Sequence, residues 1–177
     1  MKFVFILTLL LQMSWLDNQP AVPITDINQL RRTYLKAVDN AKINDSLLSR
    51  LEQNEGKSAL LLGYQGACEG LRAKHAFNPY KKLDYLSKSQ QTLAKAITQE
   101  PNNVEIRFLR FSMQHYLPTF LGHSKHLTED RLAIVQNIRT EENQKLGIQT
   151  LQLIAKFLID SKRCEENELQ VLREVMK

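Results

Sequence analysis

Residues 83–116 read LDYLSKSQQTLAKAITQEPNNVEIRFLRFSMQHY, and this stretch sets the fold class. Leu83, Leu86, Gln90, Leu93 and Ile97 recur at the three- and four-residue intervals of one helical face, widened by Tyr85, Ala94 and Ala96. Glu100-Pro101-Asn102-Asn103 then stops that helix and offers a start for another, because proline cannot continue a helix and asparagine caps one. Ile106, Phe108, Leu109, Phe111 and Met113 carry the second helix from Val104 to Tyr116, and Leu117-Pro118 ends it. Two apolar-faced helices across a tight turn are antiparallel neighbours.

The same rhythm extends in both directions. Thr25-Asp26 opens a first helix with Ile27, Leu30, Tyr34 and Val38 on one side. Asn44-Asp45 precede a short second helix through Leu47, Leu48 and Leu51, ending near Gly56. Ser58 to Lys74 is a third, with Leu60, Leu61, Tyr64, Ala67, Cys68 and Leu71 on a broad face, and His75-Ala76-Phe77-Asn78-Pro79 breaks it. Beyond the fifth helix, Leu127, Ile134, Val135 and Ile138 mark a sixth opened near Thr128-Glu129-Asp130. Glu141-Glu142 start a seventh through Leu146, Leu151, Ile154, Phe157 and Leu158, and Leu169, Leu172 and Met176 finish an eighth. No segment reads as a strand. The expected fold is all-α, with about seven or eight helices stacked as antiparallel pairs in one domain over residues 22–177.

Composition agrees. Gly plus Pro is 11 of 177 residues, about half the usual share, which disfavours barrels, Gly-loop nucleotide folds and disordered linkers. The net charge of +5 is spread among acids and nowhere massed, so nucleic acid is not an expected partner. Met1-Lys2-Phe3-Val4-Phe5-Ile6-Leu7 and the apolar residues up to Met13 have the pattern of a secretory leader, too short to span a bilayer. The expected leader covers residues 1–21, with no Ala-x-Ala to fix its cleavage point. It implies an exported chain, periplasmic or envelope-associated, with no stable membrane span once the leader is gone. In that compartment Cys68 and Cys164 can form a disulfide or stay as two free thiols, and spacing does not choose between them. Neither belongs to a Cys-x-x-Cys pair.

Ser89-x3-Leu93-x2-Ala96-x4-Pro101 has the small-large-small-proline spacing that ends a tetratricopeptide (TPR) repeat, and Asn102-Asn103-Val104-Glu105-Ile106 resembles the opening of the next. Leu62-Gly63 resembles the Leu-Gly pair of a repeat's first helix, where glycine admits a partner backbone. The resemblance covers residues 57–116. It departs from the pattern in the long spacing from Gly63 to Pro101, in Arg107 where the repeat prefers Trp, and in Arg110-Phe111 where it has Leu-Gly. The strings Glu105-Ile106-Arg107-Phe108-Leu109-Arg110-Phe111 and Leu117-Pro118-Thr119-Phe120-Leu121-Gly122 are also similar to those of small exported proteins of Bacteroidota. Together these resemblances imply an extracytoplasmic TPR-like protein whose first helices line a concave binding surface.

Candidate binding residues follow. Arg107 and Arg110 lie one turn apart in an apolar helix, with Gln114 on the same face. Guanidinium forks there can clamp a carboxylate or a peptide C-terminus; the structural alternative is neutralisation by Glu69 or Glu105 inside the stack. Tyr64 and Glu69 share the third helix with Gln65 and Lys74, where a tyrosine can anchor an extended peptide or simply pack beside Leu60 and Leu61. The expected groove is thus Tyr64, Glu69, Arg107, Arg110 and Gln114. His123-x-x-His126 with Glu129-Asp130 is a weak metal candidate that lacks a third distant ligand and the spacing of a zinc protease. The chain has no Gly-x-Ser-x-Gly and no phosphate-binding glycine loop, and Asp84, Asp130 and Asp160 are scattered with no paired-carboxylate geometry, so neither a catalytic site nor a cofactor is expected. The functional expectation is a protein- or peptide-binding module. The alternatives are a structural or self-associating helical bundle, and a metal-dependent enzyme.

Overall fold

Side-chain caps set most helix starts in the N-terminal half. In the computed structural model, which describes residues 24–54, 56–117 and 125–177, α1 (Ile27–Ala37) is opened by Asp26, whose carboxylate accepts from Gln29 N at 2.9 Å. Asn40, Ser58, Asn78 and Asn103 cap α2 (Ala41–Gln53), α3 (Ala59–His75), α4 (Pro79–Gln99) and α5 (Val104–His115) in the same way. Four further helices follow: α6 (Leu127–Asn137), α7 (Glu141–Gln144), α8 (Ile148–Asp160) and α9 (Glu166–Val175). The described residues hold nine helices and no strand, so the protein is all-α. The expected leader over residues 1–21 lies outside the described residues.

Two expectations are corrected. The second helix does not open at Asn44-Asp45 but a turn earlier, at the Asn40 cap. Asn44 is instead fully buried, and its Nδ2 donates to the Cys68 carbonyl at 3.1 Å, tying α2 to α3. The seventh helix is two, α7 and α8, because Gly147 takes a φ of 81°, which a right-handed helix cannot contain.

From α1 to α6 each helix packs on its successor, and α9 packs on both α8 and α6. In addition α3 reaches α1 and α5, and α5 reaches α8. The glycines of α3 give the relative directions. A Cβ on Gly66 would lie 2.8 Å from Leu93 Cγ and 3.0 Å from the Leu93 backbone nitrogen, in antiparallel α4. Gly66 therefore admits the partner backbone, the part assigned to Gly63 from sequence. Gly63 faces Ile106 of α5 and, two turns on in both helices, Gly70 faces Met113, so α3 and α5 run parallel. Ser89 and Ala96 are fully buried at the α3–α4 contact, with Ser89 Oγ donating to the Gly66 carbonyl at 2.6 Å.

The core has three clusters that meet on α5. Val104 and Phe111 belong to the C-terminal cluster with Ile134, Leu151, Ile154, Leu158 and Leu172. Leu109 joins Leu48, Leu51, Tyr64, Cys68 and Leu93 in the N-terminal one. Ile106 packs with Ala59, Ala96 and Ile97 in the third.

Candidate functional site

The five residues expected to line a groove are all buried, and four of them divide among three polar clusters inside the array. At the first, Tyr64 donates to Glu105 Oε1 at 2.6 Å. Arg31, from α1, makes a two-pronged pair with the same carboxylate, Nε to Oε1 at 2.7 Å and a terminal nitrogen to Oε2 at 2.6 Å. One buried glutamate thus binds α1, α3 and α5 together. Burial, and then the charge of Glu105, hold the Tyr64 hydroxyl far above the usual phenol range, so it stays a donor. The Tyr34 ring stacks edge-on against Tyr64 at 5.3 Å.

The second cluster is the densest. Arg110 Nε donates to Asp130 Oδ2 at 2.7 Å and its terminal nitrogen to Asp130 Oδ1 at 2.7 Å. Arg107 reaches Asp130 Oδ1 at 3.0 Å, Glu129, and the Pro101 carbonyl at 2.8 Å. Asp130 is 0 % exposed, Arg110 4 % and Arg107 8 %. Burial opposes the charge on Arg110, yet the hydrogen bonds and charges of Asp130 and Glu129 raise its affinity for a proton above the ordinary value. The Arg107 hydrogen bond, helped by His126, pulls Glu129 down to about 2. The partners of these arginines are therefore Glu129 and Asp130 of α6. Glu69 and Glu105, the partners considered from sequence, serve other cations.

Glu69 marks the third cluster. Its Oε1 lies 3.2 Å from Lys88 Nζ and accepts from Gln65 at 3.1 Å, while Oε2 is buried without a partner among the described residues. Gln114 stands apart from all three, fully buried, accepting from the His126 backbone nitrogen at 3.1 Å. His126 uses Nδ1 to hold Glu129 at 2.8 Å, and His123 lies outside the described residues. Among the described residues no three His, Cys, Asp or Glu side chains come together as a metal site. Both cysteines are free: Cys68 is sealed in the N-terminal cluster, where burial pushes its thiol up to about 12, and Cys164 packs on the C-terminal one.

Sequence reasoning did not find Asn143. Its side chain lies in the α7 turn and is 3 % exposed. It accepts from Val104 N and donates to the carbonyls of Asn102 and Asn137, locking the α4–α5 turn to the end of α6. Nothing in the sequence around Asn143 distinguishes it from the surface asparagines nearby.

A cavity of about 100 Å³ lies between α1 and α2 beside Asp26, Thr33 and Arg50. Another, of about 280 Å³, is lined by Leu127, Thr128, Arg131, Lys162 and Arg163. Large apolar side chains stand in solvent at Leu35, Phe77, Tyr80, Tyr116, Leu132, Ile148 and Leu153. Compared with protein-family models, with curated proteins and with solved structures, the chain matches none.

Proposed function

We propose that this chain is an exported, TPR-like interaction module that binds a protein or peptide. The observation that carries the reading is a division of labour. The charged candidates are consumed in joining helices, while large apolar side chains are presented to solvent on well-packed helices. Exposed apolar anchors on a stiff scaffold suit a macromolecular partner, because little backbone entropy is lost on docking. The parallel packing of α3 and α5, with α4 antiparallel between them in sequence, supports the TPR-like description. The leader pattern of residues 1–13 supports export to the periplasm or envelope.

A second reading is self-association. It is favoured by the exposed apolar residues of the C-terminal helices, Leu132, Ile148, Leu153 and Met176. One experiment separates the two. Affinity capture from the cell's own envelope extract is run beside sedimentation of the pure protein, each with the wild type and with Ile148→Glu/Leu153→Glu. The module reading expects a monomer that captures a partner, and a partner lost with the double variant identifies these side chains as its anchors. A concentration-dependent dimer dispersed by the same charges establishes self-association. A monomer that captures nothing above background overturns both.

A further inference from the structure

The turn between α3 and α4 carries the most exposed aromatic residue described. Phe77 is 102 % exposed and Tyr80 78 %. They are not loosely held. Asn78 accepts from the backbone nitrogens of Tyr80 and Lys81, and Pro79 occupies the first helical position, so the tip is fixed by its own cap. Lys81 and Lys82 follow directly, and no carboxylate among the described residues pairs with either. Asp39 is held by Lys74 and Asp45 by Arg72, and Asp84 follows two residues after Lys82.

The same end of the array repeats this chemistry. Because α5 runs parallel to α3, its C-terminus emerges beside the α3–α4 turn, with Tyr116 75 % exposed. Arg163, from the α8–α9 turn, donates to His115 Nδ1 at 3.0 Å and so lies at this end too. It shares the 280 Å³ cavity with Lys162, Arg131 and Thr128. Lys162 holds a φ of 56°, a conformation that glycine adopts at lower cost, and places a cation there. Arg131 donates to the Arg163 carbonyl and meets Glu168 at 3.4 Å, with its Nε buried and unpartnered among the described residues. This end also carries Asp160, Glu165 and Glu166, of which Asp160 pairs with Lys156 and Glu166 with Arg173, whereas Lys81, Lys82 and Lys162 have no carboxylate partner among the described residues.

From this juxtaposition we infer that the end bearing Phe77, Tyr80, Lys81, Lys82, Lys162 and Arg163 docks on an anionic phospholipid bilayer. A protruding phenylalanine beside tyrosine suits the boundary between acyl chains and headgroups, where aromatic rings are favoured. The lysines and Arg163 meet lipid phosphates, each worth a several-fold gain in partition at an anionic surface. A protein partner would be expected to meet such a convex tip with a pocket; a bilayer accepts it as it stands. Among the described residues no helix is long and apolar enough to cross a membrane, so the contact is peripheral. The inference goes beyond the protein-partner reading and does not depend on it.

The test uses the full chain with one fluorescent reporter, Phe77→Trp in a Trp15→Phe background, which leaves a single indole, at the tip. With vesicles of phosphatidylcholine containing phosphatidylglycerol, the emission of that indole shifts to the blue and brominated acyl chains quench it; with phosphatidylcholine alone neither happens. Lys81→Gln/Lys82→Gln, which leaves the exposed surface folded, weakens this partition by roughly 30-fold, as raised salt does. Unchanged melting by circular dichroism confirms that both variants fold. A reporter that stays solvated and unquenched overturns the inference, including when the chain sediments with vesicles, since residues 1–13 or another surface then hold it. Protection of the reporter only by an added protein partner overturns it equally.

Discussion

Two arginines inside an apolar helix must either bind a ligand or be neutralised, because an unpaired buried charge is too costly to keep. Arg107 and Arg110 are neutralised: Asp130 accepts from both and has no exposed surface. Removing Arg110 takes from buried Asp130 its two-pronged partner and leaves it only Arg107 at 3.0 Å, so Arg110→Ala costs about 3 kcal/mol in denaturant unfolding. A variant that melts like the wild type would restore Arg110 to a ligand-binding role. Arg110→Met with Asp130→Leu loses less than the two single changes summed, since Arg107 keeps Glu129 and the Pro101 carbonyl when Asp130 is gone. Glu129 adds a pH dependence whose sign follows from its environment. Its proton affinity is depressed in the folded state, from 4.5 to about 2. Its contribution is therefore complete above about pH 4.5 and is lost as the pH falls towards 2. In acid titrations of stability, Glu129→Gln should flatten the decline over that window. An unchanged slope would show that the Arg107 pair contributes nothing to acid resistance. Because Glu129 is half exposed, solvent screening keeps the effect modest.

At the scale of the helix, small residues decide how closely neighbours approach, and they differ among themselves. A methyl group on Gly66 would press on the Leu93 backbone nitrogen at 3.0 Å, which cannot yield without moving α4. A methyl on Gly63 meets only the Ile106 and Leu109 side chains, at 3.4 Å or beyond. Alanine also gains roughly 1 kcal/mol over glycine in a helix interior. Gly66→Ala is thus destabilising by about 1–3 kcal/mol despite that gain, whereas Gly63→Ala is neutral or stabilising. Equal effects in thermal melts would mean that α4 shifts freely and that the close contact is not a constraint. The contrast also shows what the sequence makes legible at this scale. Periodicity and caps place the helices, and Ser89, Leu93 and Ala96 announce the α3–α4 contact. They do not say which glycine meets a backbone, since Gly63, Gly66 and Gly70 all lie in one helix. Nor does periodicity show the break at Gly147, where apolar residues continue on both sides and only the positive φ separates α7 from α8.

For the whole molecule, α5 is the element on which everything else depends. Among the described helices it alone supplies side chains to all three core clusters, through Leu109, Ile106 and the pair Val104 and Phe111. Its charged residues reach in both directions as well, Glu105 to Arg31 and Tyr64, Arg107 and Arg110 to α6. These links could not be read from the sequence, because each joins residues far apart in the chain. Arg31 and Glu105 are separated by 74 positions, Arg107 and Glu129 by 22, and spacing is informative only within a helix or a turn. The candidate residues were identifiable as unusual, being polar on apolar faces; what they do was not. The consequence concerns how the array opens. If stability were a sum of local pairs, each helix would exchange amide hydrogens at its own free energy, as in long repeat arrays. With α5 inserted in every cluster, its opening requires the others to come apart. Native-state hydrogen exchange should therefore find the α5 amides slowest, exchanging only by global unfolding, with α1 and α9 opening earlier because each is packed from one side of the array. Arg110→Ala should lower protection in α5 and α6 together and leave α2 changed only by the global loss. Exchange in α5 as fast as in α9 would mean that the N- and C-terminal clusters unfold as separate units joined by an ordinary helix.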